Sequence, residues 1–519
     1  MERTRTTSSA WCVVVILAAV AFTGAVVSTR HGAEVGPDSV TYVSTARNLA
    51  HGAGFVDFTG HKVGMFGPGV PALFAAGVKA GISPWTSGRW LNAIAFATIV
   101  VLAFLLLRRH VRSSGLALGA TAFIAWSTPL LRVVTGIASD PLAIALTLGF
   151  LVALEGAVGQ PRRRSATIAA AALVWVSFLV RYASGLLLVT GVIAIALVAR
   201  REGWRVALRR AVTFGALAAV VPVAWYASSA ASSGSNALDF RAPSSEGPRE
   251  IVKLLLQSVR NLTVPFQPPY AAWLLALALA SAVVVVLAWP VRRALASWVI
   301  DHADQMTPMV VFIVVYVVGV AVSHKTTGSD LNDRILLPAM LPAVVLVAGL
   351  LDQVIGVSVE RGRRRAAGAL VVGLVLVLIG SALWFGRQVS AGDFAGYPTT
   401  GARAAHLRRD LAGVGHSALL MSNDPWRIYA ATSRQPVELA PITVKPGFSH
   451  RPLSIDDVTR ALCNDRKVYL AWFRHNPNTT SGPPSAELLG RDRVVIGRAT
   501  KIQTGNLYRI TARETCPSA

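Results

Sequence analysis

Charged residues are scarce in this chain: they make up 15% of 519 residues, while 53% of the residues are hydrophobic. A soluble globular protein carries about 25% charged residues. This composition, with a mean hydropathy of +0.52, therefore excludes a soluble enzyme. Glycine (43) and proline (27) are too few for a low-complexity or collagen-like protein. The class that remains is a polytopic membrane protein.

Several catalytic signatures are also missing from the sequence. Its three cysteines and ten histidines form no cluster with the spacing of zinc ligands. No Walker loop is present, so ATP hydrolysis has no support, and no nucleophile elbow indicates a serine hydrolase. The function has to be sought in other residue types.

Positive charge is abundant, with a formal net charge of +24. In a soluble protein this excess would indicate a nucleic-acid partner. Here the arginines form short clusters that flank apolar runs, which is the positive-inside pattern of membrane proteins. The sequence therefore predicts no nucleic-acid partner. The bias towards Arg, Ala and Val is typical of a GC-rich bacterial genome.

Apolar runs long enough to cross a bilayer as helices recur along the chain. We predict eleven, near residues 11–28, 88–107, 115–131, 141–157, 166–180, 184–199, 211–229, 270–290, 306–323, 335–351 and 366–385. The first run follows Arg3 and Arg5 and lacks a clear cleavage site, so we interpret it as an uncleaved signal anchor.

Arginine clusters predict the orientation. With the N-terminus in the cytoplasm, every second span ends in a basic cluster on the cytoplasmic side. These clusters are Arg108-Arg109, Arg162 to Arg164, Arg200-Arg201, Arg292-Arg293 and residues 361–365. The odd number of spans then places residues 386–519 outside a bacterial plasma membrane, in which the protein is a multi-pass component.

The predicted architecture is a mainly α-helical membrane bundle with a small extracytoplasmic α/β domain at its C-terminal end. The membrane domain covers residues 1–385 and includes a first outer loop, 29–87, with surface helices; a second outer helix is predicted over 248–261. The domain at 386–519 contains an amphipathic helix (400–411) and strand-like segments (418–421 and 468–472).

Cysteine placement predicts one disulfide bond. Cys463 and Cys516 are the only cysteines of the C-terminal region, and Cys12 lies in the first apolar run. If that region lies outside, its thiols are in an oxidising compartment where bridges persist. We therefore predict a Cys463–Cys516 bridge, the alternative being two buried free thiols.

The first outer loop contains the most informative pattern. It reads Gly36-Pro37-Asp38-Ser39-Val40-Thr41-Tyr42 and continues to a turn around Gly67-Pro68-Gly69. Pro37 favours the start of a helix and Asp38 lies at its positive end, so Asp38 can be a simple helix cap. A second short apolar helix follows over 72–78.

These motifs resemble a known family. The pattern Pro-Asp-Ser-x-x-Tyr followed by Gly-Pro-Gly-x-Pro is similar to the first outer loop of GT-C-fold membrane glycosyltransferases, in the family-39-like branch of protein mannosyltransferases and lipid A aminoarabinose transferases. Three further segments resemble motifs of that family: Asp140-Pro141-Leu142, Asp333-Arg334-Ile335-Leu336-Leu337-Pro338 and Ser422-Asn423-Asp424-Pro425-Trp426. Many members have two adjacent acids in the first loop, whereas here Ser39 follows Asp38.

The resemblance implies a reaction at the outer membrane face. A monosaccharide, mannose or arabinose, would move from a polyprenyl-phosphate donor to a hydroxyl of an envelope glycan, lipid or protein, with inversion at the anomeric carbon. Such an attack needs a carboxylate as general base, and the leaving phosphate needs cations or hydrogen-bond donors.

Candidate roles follow from this chemistry. Asp38 is the expected base, and Asp140 is a second acid that orients the acceptor or a divalent cation; whether Asp38 and Asp140 hold a metal stays open. The expected phosphate-binding residues are Lys62, Arg181, Lys325 and Arg334, and the expected substrate-binding residues are Tyr42, His61 and Tyr182.

Structural alternatives exist for several of these residues. Asp140 can be the N-cap of its helix, Arg181 a snorkelling turn residue, and Lys62 an interfacial anchor. Arg334 can form a local salt bridge with Asp330 or Asp333. Glu34 and Asp57 are interpreted as solvated loop acids.

Two rival classes remain. A transporter or flippase of lipid-linked sugars would show paired ionisable or Gly/Pro-broken positions near the middle of the membrane, whereas the ionisable residues here lie at span ends. A non-catalytic envelope scaffold could retain the fold without Asp38 or Asp140 having a chemical role.

Overall fold

The structure is a computed structural model. It describes residues 8–159, 164–233, 243–263, 289–360, 364–391, 401–441, 452–474, 493–502 and 505–513.

Within these residues, eight helices are long and apolar enough to cross a membrane. They are Ser8–Ser28, Pro84–His110, Asp140–Gly159, Leu186–Ala199 with its flanking 3-10 turns Tyr182–Gly185 and Arg200–Glu202, Trp204–Ser233, Trp289–Thr327, Asp333–Glu360 and Arg364–Ala391. Each matches one of the predicted apolar runs. The mainly helical membrane bundle predicted from the sequence is confirmed.

Two further predicted runs form shorter helices. The run at 115–131 is broken into Ser114–Ala125 and Thr128–Thr135, which meet at an angle of 42°. Pro129 explains the break, because a proline ring excludes the preceding residues from a continuous helix. The run at 166–180 is the 17-residue helix Arg164–Val180. The run at 270–290 lies almost entirely outside the described residues, so the count of eleven spans stays a prediction.

Three helices do not belong to the predicted spans and are called the outer helices, after the prediction: Pro37–Ala50, Gly69–Lys79 and Pro248–Thr263. Pro37 starts the first of them, as predicted, and the Ser39 hydroxyl accepts a hydrogen bond from the Gly36 backbone N–H at 3.1 Å. Val40 and Val43 form its buried stripe. The other two helices correspond to the segments predicted at 72–78 and 248–261.

The turn before the helix Gly69–Lys79 approaches the bundle very closely. A Cβ atom on Gly67 or Gly69 would run into the backbone carbonyl of Leu179. Only glycine permits this contact. The turn is thereby held against the end of the helix Arg164–Val180, directly before Arg181.

The C-terminal region is a small α/β unit, as predicted. Its strands are β1 (Leu419–Ser422), β2 (Glu438–Leu439), β3 (Val468–Phe473), β4 (Val494–Ile496), β5 (Thr500–Ile502) and β6 (Gly505–Ala512). The sheet order is β2-β1-β3-β6-β4, with β5 also on β6; β1, β2 and β3 are parallel, and β6 is antiparallel to β3. Its helices are Gly401–Asp410, Pro425–Thr432 and Ile455–Cys463.

The cysteines are in two states. Cys463 is disulfide-bonded, and Cys12 is free and exposed. The predicted partner, Cys516, lies outside the described residues, so the pairing itself stays a prediction.

Buried apolar side chains form two clusters. One fills the membrane bundle. The other joins the outer helices to the C-terminal unit, for example through Val43, Phe58 and Phe74 on one side and Trp426 and Tyr429 on the other. The C-terminal unit therefore packs on the first outer loop. The two parts on either side of residue 385 thus share one buried cluster, and the division of the chain at residue 385 into two domains stays a prediction.

Candidate active site

Asp140 is the centre of a buried ionic cluster. It is the first residue of the helix Asp140–Gly159, and its side chain is only 4% exposed. Arg181 donates from Nη1 to its Oδ1 at 2.6 Å. Arg334 donates to its Oδ2 from Nε at 2.9 Å and from Nη2 at 2.7 Å. Both carboxylate oxygens are therefore engaged by guanidinium groups, an arrangement that satisfies a buried charge.

Asp38 joins this cluster through Arg334. Nη2 of Arg334 also lies 3.3 Å from Oδ2 of Asp38. The Asp38 side chain is 33% exposed and is therefore far more accessible than Asp140. Asp38 thus has one long ion pair and an open side, which is the condition that a general base needs to reach a substrate hydroxyl.

Local structure explains how these four residues meet. Asp38 is in the first turn of an outer helix, and Arg181 lies between a membrane helix and a 3-10 turn. Arg334 is the second residue of the helix Asp333–Glu360. All four residues lie at or near the end of a helix. These helix ends meet, as the ion pairs that join the four side chains show. The local alternative for Arg334 is wrong, because its partners are Asp140 and Asp38.

Hydroxyl groups line the cluster. The Tyr42 hydroxyl donates to Ser139 Oγ at 3.2 Å, and Arg181 Nη1 lies 3.4 Å from the same oxygen. Burial, and then the negative charge of Asp38, raises the pKa of Tyr42. The phenol therefore stays protonated and remains a hydrogen-bond donor across the physiological range.

Tyr182 is held beside the cluster. Its hydroxyl donates to the Phe66 carbonyl at 3.0 Å and accepts from Trp225 Nε1 at 2.8 Å. It follows Arg181 directly in the chain and connects the Gly-Pro-Gly turn with the helix Trp204–Ser233. These contacts link the outer loop to the bundle, and the predicted role of Tyr182 in substrate binding stays a prediction.

Glu34 is half-buried, which corrects the prediction of a solvated loop acid. Its backbone pairs with the segment before Asp140: the Glu34 N–H donates to the Thr135 carbonyl at 3.0 Å, and the Glu34 carbonyl accepts from the Ile137 N–H at 3.1 Å. Burial raises the pKa of its carboxyl, and the positive charges of Arg334 and Arg132 partly offset this effect. No local motif predicts this environment, because the bridge joins segments about one hundred residues apart.

Asp57 is less solvated than the sequence predicts. Its Oδ1 accepts from the Thr59 backbone N–H at 2.8 Å and from the Thr59 hydroxyl at 2.6 Å, which closes a local turn. It is half-buried.

The remaining predicted site residues make other contacts. His61 Nδ1 lies 2.9 Å from the Thr59 hydroxyl, and Lys62 next to it is exposed. Lys325 Nζ donates to the carbonyls of Ser244 and Glu246 at 3.0 and 2.9 Å. The structure thus brings Asp38, Tyr42, Asp140, Arg181 and Arg334 together, with Tyr182 beside them.

The arrangement does not fit a cation between Asp38 and Asp140. The Arg334 guanidinium already bridges the two carboxylates. Within the described part of the chain, no group of three or more His, Cys, Asp or Glu side chains is placed to hold a metal ion. Positive charge at this position is supplied by arginine.

Comparisons with known proteins establish the fold. No family model matches the chain, and no curated protein matches it. Among solved structures, it is similar to ArnT from Cupriavidus metallidurans in the apo state (TM-score 0.64, 14% identity, 97% of this chain and 98% of that one). The archaeal oligosaccharyltransferase of Archaeoglobus fulgidus, solved with Zn and sulfate, gives a TM-score of 0.54 at 13% identity over 89% and 68% of the two chains.

A third neighbour is the arabinofuranosyltransferase AftD from Mycobacteria, with a TM-score of 0.56 at 15% identity over 99% of this chain and 40% of that one. ArnT has also been solved bound to undecaprenyl phosphate, and that structure gives a TM-score of 0.62. These likenesses confirm the GT-C fold that the loop motifs predicted. At such low identity they establish the fold alone.

Proposed function

We propose that this protein is a membrane glycosyltransferase that moves a monosaccharide from a polyprenyl-phosphate donor to an envelope acceptor. The observation that carries the proposal is the ionic cluster: an accessible carboxylate, Asp38, lies beside two guanidinium groups at one end of the bundle. A base next to cations is what glycosyl transfer from a lipid phosphate requires.

The chemical step would run as follows. The acceptor hydroxyl attacks the anomeric carbon of the donor, and its proton passes to the Asp38 carboxylate. The new C–O bond forms as the bond between the anomeric carbon and the phosphate oxygen breaks. The electron pair of that bond leaves with the lipid phosphate, whose negative charge is stabilised by Arg334 and Arg181. Attack from the face opposite the leaving group gives inversion.

Asp140 would act through the two arginines. A guanidinium has five N–H donors, and the contacts of Arg334 with Asp140 and Asp38 use Nε and Nη2. The remaining donors can face a phosphate while the carboxylate fixes the plane of the group. Asp140 is then a positioning residue.

The donor and acceptor classes are supported by the neighbours. ArnT has been solved with undecaprenyl phosphate, and the archaeal enzyme AglB has been solved with dolichol phosphate and an inhibitory peptide. AftD is named an arabinofuranosyltransferase. We therefore propose a polyprenyl-phosphate pentose as the first donor to test and a hexose donor as the second. A glycan, lipid or protein of the envelope would be the acceptor.

The site and the C-terminal unit would both lie outside the cytoplasm. The cluster residues share the end of the bundle to which the C-terminal unit docks, while Arg108 and Arg109 close the opposite end of the helix Pro84–His110. The positive-inside rule assigns the arginine-rich end to the cytoplasm.

The test is donor turnover by the purified full-length protein in lipid. Radiolabelled polyprenyl-phosphate pentoses and hexoses are supplied with an envelope extract, and labelled product and released polyprenyl phosphate are quantified. Transfer that depends on Asp38 supports the proposal. Movement of intact donor across the bilayer without cleavage would indicate the flippase alternative, and the absence of both would indicate a scaffold.

A further inference from the structure

The outer helix Pro248–Thr263 has three distinct faces. One face packs on the membrane bundle: Ile251, Leu254 and Leu255 lie against its apolar core, Leu262 is buried, and the helix contacts Asp333–Glu360. This face attaches the helix to the membrane bundle. The other two faces do not pack on the bundle core.

A second face exposes an apolar strip. Val252, Leu256 and Val259 are 54%, 65% and 49% exposed. Their spacing of four and three residues places them in one row along the helix. An exposed apolar row on an outer helix marks a surface that is covered by another apolar phase.

A basic row lies directly beside this strip. Arg249, Lys253 and Arg260 are all exposed, and separations of four and seven residues align them on one face. Lys253 stands three residues before Leu256, and Arg260 stands four residues after it, so helical spacing places both beside the edge of the apolar strip. On the side of the basic row away from the apolar strip, the helix is polar, with Gln257 exposed.

We propose that this helix lies in the outer bilayer interface, with Val252, Leu256 and Val259 in the acyl region and Arg249, Lys253 and Arg260 on the phosphates of anionic phospholipids. An apolar strip bordered by a cationic strip is the form of an interfacial helix. Anionic phospholipid is chosen over a protein partner because three cations share one face, although Lys253 also pairs with Glu250 at 3.2 Å, and because a bilayer necessarily surrounds the attached bundle. This inference does not depend on the catalytic proposal.

The position of the apolar strip can be measured directly. In a Cys12→Ser background, Leu256→Cys and the control Gln257→Cys are labelled with the same fluorophore and placed in nanodiscs of phosphatidylcholine brominated near the headgroup. We expect the Leu256 label to be quenched at least about twofold more than the Gln257 label. Equal quenching at both positions, or shielding of Leu256 by a co-purifying protein instead of lipid, would overturn the proposal.

The basic row is tested separately. Nanodiscs contain equal amounts of phosphatidylglycerol and phosphatidylcholine, and the two lipids retained after detergent extraction are counted by native mass spectrometry. The triple variant Arg249→Gln, Lys253→Gln, Arg260→Gln should lower the retained ratio of anionic to neutral lipid by about fivefold. The matched triple variant Arg408→Gln, Arg409→Gln, Arg460→Gln removes three exposed arginines of the C-terminal unit and should leave the ratio unchanged.

These variants change exposed side chains, so the protein should remain folded; its melting temperature verifies this. An unchanged ratio in the first triple variant, or an equal fall in the second, would refute the anionic-lipid site.

Discussion

The two aspartates of the cluster have different surroundings, and the different tasks proposed for them follow from this difference. Asp140 is buried and has a guanidinium on each oxygen, whereas Asp38 is one-third exposed and has a single ion pair at 3.3 Å. Both oxygens of the Asp140 carboxylate are bound by guanidinium groups, so this group is not placed to accept a proton from a substrate. The Asp38 carboxylate is exposed and can accept one.

Replacement of these two acids should separate chemistry from stability. Asp38→Asn removes the base and should lower turnover at least about a hundredfold, while its melting temperature stays close to that of the wild type. Asp140→Asn leaves two arginines without their shared counter-ion and should lower the free energy of unfolding by about 3 kcal/mol.

Donor turnover and thermal melting are measured on both variants in the same lipid. Wild-type turnover in Asp38→Asn protein would leave Asp38 as a helix cap. A melting temperature unchanged in Asp140→Asn would show that the cluster has no structural role.

Glu34 provides a pH-dependent prediction. Burial raises the pKa of its carboxyl in the folded protein. The folded state therefore binds more protons than the unfolded state, and this group makes stability fall as the pH rises from its unfolded pKa, about 4.3, through the raised folded value. Glu34→Gln removes the effect.

The melting temperature of the Glu34→Gln variant should therefore exceed that of the wild type at pH 8, and the difference should shrink towards pH 4. The reverse trend would mean that attraction to Arg334 and Arg132 outweighs burial.

At the scale of elements, the helix Pro37–Ala50 packs against the C-terminal unit. Arg47 donates to the Tyr429 hydroxyl at 3.1 Å and lies over its ring, and Gln435 reaches Asn48 at 3.3 Å. Phe58 stacks on Tyr429, with ring centroids 5.3 Å apart. Asp38 belongs to the same helix as Arg47, so the docked unit fixes the helix that carries the proposed base.

Tyr429 tests this contact. Tyr429→Ala should destabilise the outer region by about 3 kcal/mol, because a large buried ring is lost, and turnover should fall with it. Tyr429→Phe keeps the ring and removes one hydrogen bond, so its cost should be about 1 kcal/mol. Limited proteolysis of the outer loops and turnover are measured together. Equal effects of the two variants would show that the hydroxyl, not the packing, holds the contact.

The Gly-Pro-Gly turn is a second element whose geometry can be tested. Gly67→Ala would drive a methyl group into the Leu179 carbonyl next to Arg181. We expect a loss of about 2 kcal/mol in stability and a marked fall in turnover. Gly36→Ala is the control in the same loop, since a Cβ there meets no atom within 4 Å. If both variants retain wild-type melting temperatures, the turn is less tightly held than the structure indicates.

At the scale of the whole molecule, orientation is the property on which the proposed function depends. A reporter enzyme fused after Phe385 should report a location outside the cytoplasm. A reporter fused after Arg112 should report a cytoplasmic location, because basic clusters are retained on the cytoplasmic side. Each fusion is compared with a known inner and outer marker. A cytoplasmic signal after Phe385 would place the C-terminal unit, and with it Asp38, on the wrong side for an extracytoplasmic donor.

Local patterns in the sequence were sufficient for the architecture. Apolar runs identified the membrane helices that the structure describes, Pro37 located the start of the first outer helix, and the strand-like segments around Leu420 and Leu470 are β1 and β3. The motifs of the first loop predicted the fold that the structural comparisons confirm. These features depend on residues close together in the chain, and hydrophobic periodicity and helix capping are themselves local.

The partners within the site were decided by the tertiary structure. The pairs Arg181–Asp140, Arg334–Asp140 and Arg334–Asp38 span 41, 194 and 296 positions of the chain. The sequence marked all four residues as candidates, yet it could not show that Asp140 is saturated by arginines while Asp38 stays open. It also misjudged Glu34, whose burial arises from a backbone bridge to Gly136. Burial and ion pairing depend on how the helices pack, so residue types alone could nominate the site but could not assign its roles.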